Sequence, residues 1–227
     1  MKIISWLFFA VIMFNAQAST EASVDPAKAL RMIKNGNIRF VKHNLRNDGQ
    51  SKKDIMRLSE GQKPHSIVLS CSDSRIPPEL VFDQKLGEIF VVRTAGQSLD
   101  DNAIGSIEYA LEHLGAALII VMGHTSCGAV KAAHSTLDGS SLGTTSLDAL
   151  VHDLHPRLQS FKSKKASNDY ESESWANVQG VTADLVTRSK LIAEKLAKNK
   201  IMIVPAMYHL NSGAVTFRDE YRTSKVK

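Results

Sequence analysis

The sequence predicts an α/β fold: a mainly parallel central sheet of four strands plus a C-terminal antiparallel strand, helices on both faces, and an N-terminal helical arm. Three observations predict it. Short apolar runs recur along the chain, bounded by polar or glycine-containing stretches. Segments with helical apolar spacing separate them, the pattern of a parallel sheet covered on both sides. The 227 residues, 43% of them apolar, suffice for a single core.

The first eighteen residues stand apart. MKIISWLFFAVIMFNAQA carries Lys2, then an apolar run from Ile3 to Phe14, then Ala16-Gln17-Ala18. Charge, apolar core and small-x-small end together predict a secretory signal cut after Ala18, and hence a periplasmic protein. The run is short for a bilayer span, so no stable membrane anchor is expected after cleavage. Residues 19–227 are then one domain.

From Pro26 to Leu45 the apolar positions Leu30, Ile33, Phe40, Val41 and Leu45 recur at helical spacing, and Asp25-Pro26 offers a cap and a first-turn proline. This arm can pack on its own domain or on a partner subunit. Residues 51–60 predict a short helix closed by Gly61. HSIVLSC is the first strand and GEIFVVRTAG the second. NAIGSIEYALEHLG is a helix ended by Gly115. AALIIVMGH is the third strand, and SCGAVKAAHSTL begins a helix. The spacing predicts a further helix from about Leu147 to Phe161, a polar loop over 162–173, and one long helix from Trp175 to Asn199. IMIVPAMY is the fourth strand. GAVTF, after a turn at NSG, is the fifth, antiparallel to it.

The excess of 28 Lys and Arg over 23 Asp and Glu is modest and dispersed. Only KSKK at 162–165 clusters, without interleaved aromatics, so a nucleic-acid partner is not expected. The two cysteines, Cys71 and Cys127, would by default pair as a disulfide in an exported protein.

Their surroundings argue otherwise. The first strand ends on a polar knot, Cys71-Ser72-Asp73-Ser74-Arg75. The third ends on Gly-His-Thr-Ser-Cys-Gly, with His124 and Cys127 in His-x-x-Cys spacing. Parallel sheets gather ligands at the carboxyl ends of their strands. Two thiolates and an imidazole there suit zinc, with three protein ligands leaving a fourth position. Asp73 is a candidate fourth donor. Gly123 and Gly128 flank the second knot and would let the backbone pass close to a metal.

The knots and their flanks resemble the beta-class carbonic anhydrases. CSDSRIPP at 71–78 and EYALEHLGAALIIVMGHTSCG at 108–128 carry the resemblance, with GEIFVVRTAGQ between them and MYHLNSGAVTF near the C-terminus. It spans roughly residues 26–218. It implies one Zn2+ per chain on Cys71, His124 and Cys127, and reversible hydration of CO2 to bicarbonate and a proton through zinc-bound hydroxide. Asp73 takes the family's switchable carboxylate, ligating zinc in a closed form and pairing with Arg75 in the active one. Gln84 falls where some relatives contact substrate, and Gly128 is a second substrate-binding candidate. A homodimer or a dimer of dimers is implied. Position 68, where some bacterial relatives carry a tryptophan of a regulatory bicarbonate site, is Val68. His113, His134, His152, His155 and His209 could relay protons, and none is assigned.

Three other readings use the same residues. The site could hydrolyse carbon disulfide or carbonyl sulfide. Asp73 could complete a closed, non-catalytic zinc site, which would leave Arg75 without its carboxylate. Cys71 and Cys127 could be a redox pair.

Overall fold

The computed structural model describes residues 24–221, and the secretory signal read at 1–18 lies outside them. One five-stranded sheet runs through the molecule in the order β2-β1-β3-β4-β5. Its strands are β1 (Ser66–Cys71), β2 (Ile89–Thr94), β3 (Leu118–His124), β4 (Met202–Tyr208) and β5 (Val215–Phe217). β1 pairs in parallel with β2 and with β3, and β3 pairs in parallel with β4. β5 returns antiparallel on β4 through a turn in which Gly213 donates to the His209 carbonyl. Gly213 has φ +72°, a left-handed conformation that glycine adopts without strain.

Side-chain alternation sorts the strands onto two cores. Val68, Ile120, Met122 and Val204 face one side. There they meet α1 (Pro26–Val41), α5 (Gly128–Ser135) and α6 (Thr145–Leu158) through Ile33, Val130 and Leu154. Ile67, Leu69, Ile119, Val121 and Ile203 face the other side. They meet α4 (Asp101–His113), α7 (Glu171–Arg188) and α8 (Lys190–Ala197) through Ile107, Val178, Leu185 and Ile192. β1 and β3 are buried along their whole length, which is why they read as unbroken apolar runs. Each strand end is therefore held rigidly from both sides.

The arm is shorter than its apolar spacing suggests. α1 stops at Val41 because His43 takes φ +54° and the chain turns, leaving Leu45 exposed outside the helix. Its inner stripe packs on its own domain through Ala29, Ile33, Gly36 and Asn37. A Cβ at Gly36 would stand 1.6 Å from the Phe82 carbonyl oxygen, so only glycine lets the helix approach. The buried Asn37 amide donates to the carbonyls of Val81 and Gly213 and accepts from Val215 N, tying α1 to the β4–β5 hairpin. Residues 52–58 form α2, and Pro78–Val81 form a short α3 after β1.

The single long helix read over 175–199 is two. It breaks at Ser189, whose backbone is extended (φ −115°, ψ 108°) and whose hydroxyl caps α8 by accepting from Ile192 N. The same hydroxyl donates to Glu108 of α4. α7 also starts earlier, at Glu171, because the buried Glu173 carboxylate ties back to Ser167.

Candidate metal centre

β1 ends at Cys71 and β3 at His124, on neighbouring parallel strands, so both knots reach the same edge of the sheet. Beyond His124 the chain turns sharply. Thr125 N donates to the Tyr208 carbonyl, and the Thr125 hydroxyl accepts from Leu210 N. Ser126 takes φ +55° and its N–H donates to the Asp169 carbonyl. That turn brings Cys127 back as the residue before α5, at the amino end of that helix. Cys71 Sγ, a His124 ring nitrogen and Cys127 Sγ lie within 4.8 Å of one another, all three residues buried.

His124 identifies the nitrogen. Its Nδ1 lies 2.9 Å from the Thr125 carbonyl oxygen, which only accepts, so Nδ1 carries the proton. Nε2 then presents a lone pair. The imidazole is fully buried, and among the described residues nothing hydrogen-bonds to that atom. An orphaned acceptor beside two thiols is the arrangement a metal completes. A ring oriented by its far N–H on a carbonyl is how histidine ligands are usually held.

The sulfurs agree. Both cysteines are free, so the disulfide default does not hold in this structure. The Cys71 thiol is pushed well below its ordinary pKa, chiefly because Cys127 donates a hydrogen bond to it, with further help from Gly96 N–H at 3.2 Å. Cys127 is pushed up by the Cys71 thiolate beside it and by burial. A cation beside the pair would favour the thiolate form of both sulfurs. Two thiolates, one neutral imidazole and tetrahedral preference make zinc the ion that fits.

Asp73 is not part of that cluster. Its carboxylate is turned onto Arg75 in a two-pronged pair, Nε to Oδ1 at 2.9 Å and Nη2 to Oδ2 at 2.7 Å, with Arg75 N adding a third bond at 3.0 Å. Oδ2 still lies 3.8 Å from His124 Nε2, so the carboxylate stands at the rim of the donor set. The Arg75 guanidinium holds the Asp73 carboxyl far below the usual carboxylate range. Of the two arrangements the sequence allowed, ligand or arginine partner, this structure has the second.

Two residues that shape the site were not singled out for it by sequence. Arg93, at the end of β2, donates to the Cys71 carbonyl at 3.0 Å and the Asp73 carbonyl at 2.7 Å, clamping the backbone of the first knot. Gly96 supplies the N–H on Cys71, and its φ of +63° aims it there. Arginine after a strand is too common a pattern to reveal such a clamp. Gly123 has a different reason from the one expected: a Cβ there would strike Val178 of α7 at 2.5 Å, on the opposite face from the imidazole. Gly128 is exposed, and a Cβ there would meet nothing within 4 Å.

Gln84 is not brought to the cluster within its own chain. Its Oε1 pairs with His65 Nε2 at 3.0 Å, and its Nε2 donates to the Phe82 carbonyl at 2.5 Å. His65 precedes β1 while Cys71 ends it, so the length of a strand, roughly 20 Å, separates them. The register of the 82–88 segment, which turns at Asp83 (φ +46°), was not readable from its sequence.

The carbonic anhydrase family profile matches residues 66–215. The chain is 39% identical over 194 residues to the carbonic anhydrase of Mycolicibacterium smegmatis, covering 86% of this chain and 94% of that one. It is 37% identical over 197 residues to carbonic anhydrase 2 of Mycobacterium tuberculosis, covering 87% and 95%. Among solved structures, tetrameric beta-carbonic anhydrases from Sordaria macrospora superpose with a TM-score of 0.64 at 21% identity, over 74% of this chain and 87% of that one, a likeness of fold.

Proposed function

The chain belongs to the beta-class carbonic anhydrases, and on that premise we propose that it interconverts carbon dioxide and bicarbonate at one zinc ion held by Cys71, His124 and Cys127. The observation that carries the reading is the buried His124 Nε2, its lone pair unpartnered among the described residues, within 4.8 Å of two free thiols. Cys71, His124 and Cys127 would hold zinc, which would supply Lewis acidity able to bring the pKa of water down from 15.7 toward neutrality.

The remaining work falls to this chain. Asp73, kept anionic by Arg75, accepts a hydrogen bond from the reacting water and so points a lone pair of its oxygen at the carbon of CO2. Arg75 is more than half exposed, yet its paired donors hold the carboxylate outside the three-donor cluster, with Oδ2 left at its rim, 3.8 Å from His124 Nε2. Arg93 fixes the backbone on which Asp73 stands. Gly128, an exposed residue opening α5 beside Cys127, offers its backbone N–H to the anionic product. The proton leaves to solvent buffer.

We assign the working form as a homodimer or a dimer of dimers. Ile38 and Val41 on the outer side of α1, with Ile55 and Met56 of α2, are exposed apolar side chains that an interface would cover. Export to the periplasm rests on the leader at 1–18. Protein isolated from that compartment should begin at Ser19; an intact Met1 in the cytosol would remove the assignment.

The test of the function is metal analysis joined to stopped-flow CO2 hydration. About one zinc per chain with rapid hydration is expected. A metal-free, disulfide-linked protein without hydration would end the reading.

A further inference from the structure

Behind the metal centre lies a second cluster of unpartnered polar groups, on the α7 side of the sheet. Gln97 is 1% exposed, and among the described residues neither its amide nitrogen nor its amide oxygen has a hydrogen-bond partner. The Ser174 hydroxyl, also 1% exposed, has none either. A buried carboxamide with every bond unmade is costly, and native proteins rarely keep one without a partner, often an ordered water.

The Gln97 amide lies against α7, the helix that carries Ser174. A Cβ at Gly123 would stand 3.1 Å from Gln97 Nε2 and 2.5 Å from Val178 Cγ2, so the amide and α7 meet over Gly123, next to His124. Asn177 of α7 donates to the Gly96 carbonyl at 2.8 Å. Ser174 stands one turn earlier on that same helix face, three residues before Asn177 and four before Val178. The turn that carries Gln97 is itself strained: after Gly96 at φ +63°, which glycine adopts freely, Gln97 takes φ +45° with a side chain attached. That geometry is what delivers Gly96 N–H to Cys71 Sγ.

We propose that the Gln97 carboxamide and the Ser174 hydroxyl hold internal water behind the metal centre, and that this hydrated cluster fixes the strained turn presenting Gly96 N–H to Cys71. Gln97 is thus a positioning residue. It touches neither substrate nor metal, and acts through the donor it keeps on a ligand sulfur. The inference rests on Cys71 being a metal ligand for its effect on affinity, while the water itself stands independently of that reading.

The two halves are separated by experiment on the zinc-loaded, full-length mature protein. A high-resolution crystal structure of the unsubstituted protein should show at least one ordered water within hydrogen-bond distance of the Gln97 amide. A dry amide, or a direct amide–hydroxyl bond to Ser174 with no water between, overturns the proposal. Gln97→Met keeps length and removes the polar atoms. If the amide is hydrated, the variant should melt about 2–4 °C lower and bind zinc roughly tenfold more weakly in chelator competition. If the amide is simply orphaned, removing it relieves a desolvation penalty, and an equal or higher melting temperature refutes the water site. Unchanged zinc affinity with the water confirmed refutes the positioning role. Ser174→Ala should shift both quantities in the same direction by a smaller amount, and a null effect on water occupancy removes Ser174 from the site. Failure of zinc to bind the unsubstituted protein would instead indict the assignment of the metal centre.

Discussion

The two ends of β1 are both polar and both buried, and they differ in what their side chains have left to offer. At the amino end His65 bonds Ser66 through Nδ1 and Gln84 through Nε2. Asp83 takes Arg39 Nε and Arg46 N, and Arg46 reaches on to Glu88 at 2.7 Å. The groups there satisfy one another, with Arg46 Nε held by its ion pair to Asp83 at 3.5 Å in place of a hydrogen bond. At the carboxyl end, among the described residues, His124 Nε2 has no partner and neither thiol is in a disulfide, while the paired Asp73 and Arg75 stand at the rim. Polar networks closed on themselves hold a fold together. Networks that leave donors and acceptors over are where a fold keeps a site.

The sharpest way to break that contrast is to remove a donor from the open end. Cys127→Ser should lose zinc and CO2 hydration together, the activity falling by at least about a thousandfold, as read by metal analysis and stopped-flow assay. Retention of both would place the metal elsewhere and dissolve the distinction between the two ends. The protein should remain folded, because Cys127 caps nothing with its side chain and packs as a small apolar group.

Much of the open end was legible because its chemistry is written in residue types. Cysteine, histidine and aspartate at the ends of two apolar runs have few other reasons to be there. The sheet was legible for a related reason: strands buried on both faces must be apolar throughout. The break at Ser189 was not legible, since the apolar positions Leu185 and Ile192 continue one helical stripe across it and only the tertiary bond to Glu108 shows why the serine turns out. Gln97 was equally hidden. A non-glycine residue with positive φ has no local signature, and its burial follows from α7, more than seventy residues away.

A smaller change within the open end separates holding the metal from using it. Asp73→Asn should retain most zinc, because Asp73 lies outside the three-donor cluster, and should lower kcat by about 10²–10⁴-fold. Undiminished hydration would take Asp73 out of the mechanism. The pH dependence follows from the same pair. Asp73 titrates below its ordinary value because Arg75 stabilises the anion. Its contribution to stability is therefore complete above about pH 4 and is lost as the pH falls toward the folded value. Removing the carboxylate should flatten the acid limb of a stability–pH curve and leave stability at pH 7 to 9 without any new pH dependence.

The smallest effect on chemistry is expected at the closed end, and it is the most discriminating. Gln84→Ala strips His65 Nε2 of its partner and takes a donor from the Phe82 carbonyl, so it should cost about 1–2 kcal/mol of stability by denaturant titration. Burial already pushes His65 below its ordinary pKa, and the Gln84 hydrogen bond opposes that push. Without the amide, His65 should titrate still lower, and NMR titration of its ring protons would read the change. kcat/KM per folded, zinc-loaded molecule should not move, because within one chain a strand's length lies between Gln84 and Cys71. A fall in kcat/KM with stability intact would mean that this glutamine serves the site of a neighbouring subunit, and the closed end of one chain would then complete the open end of another.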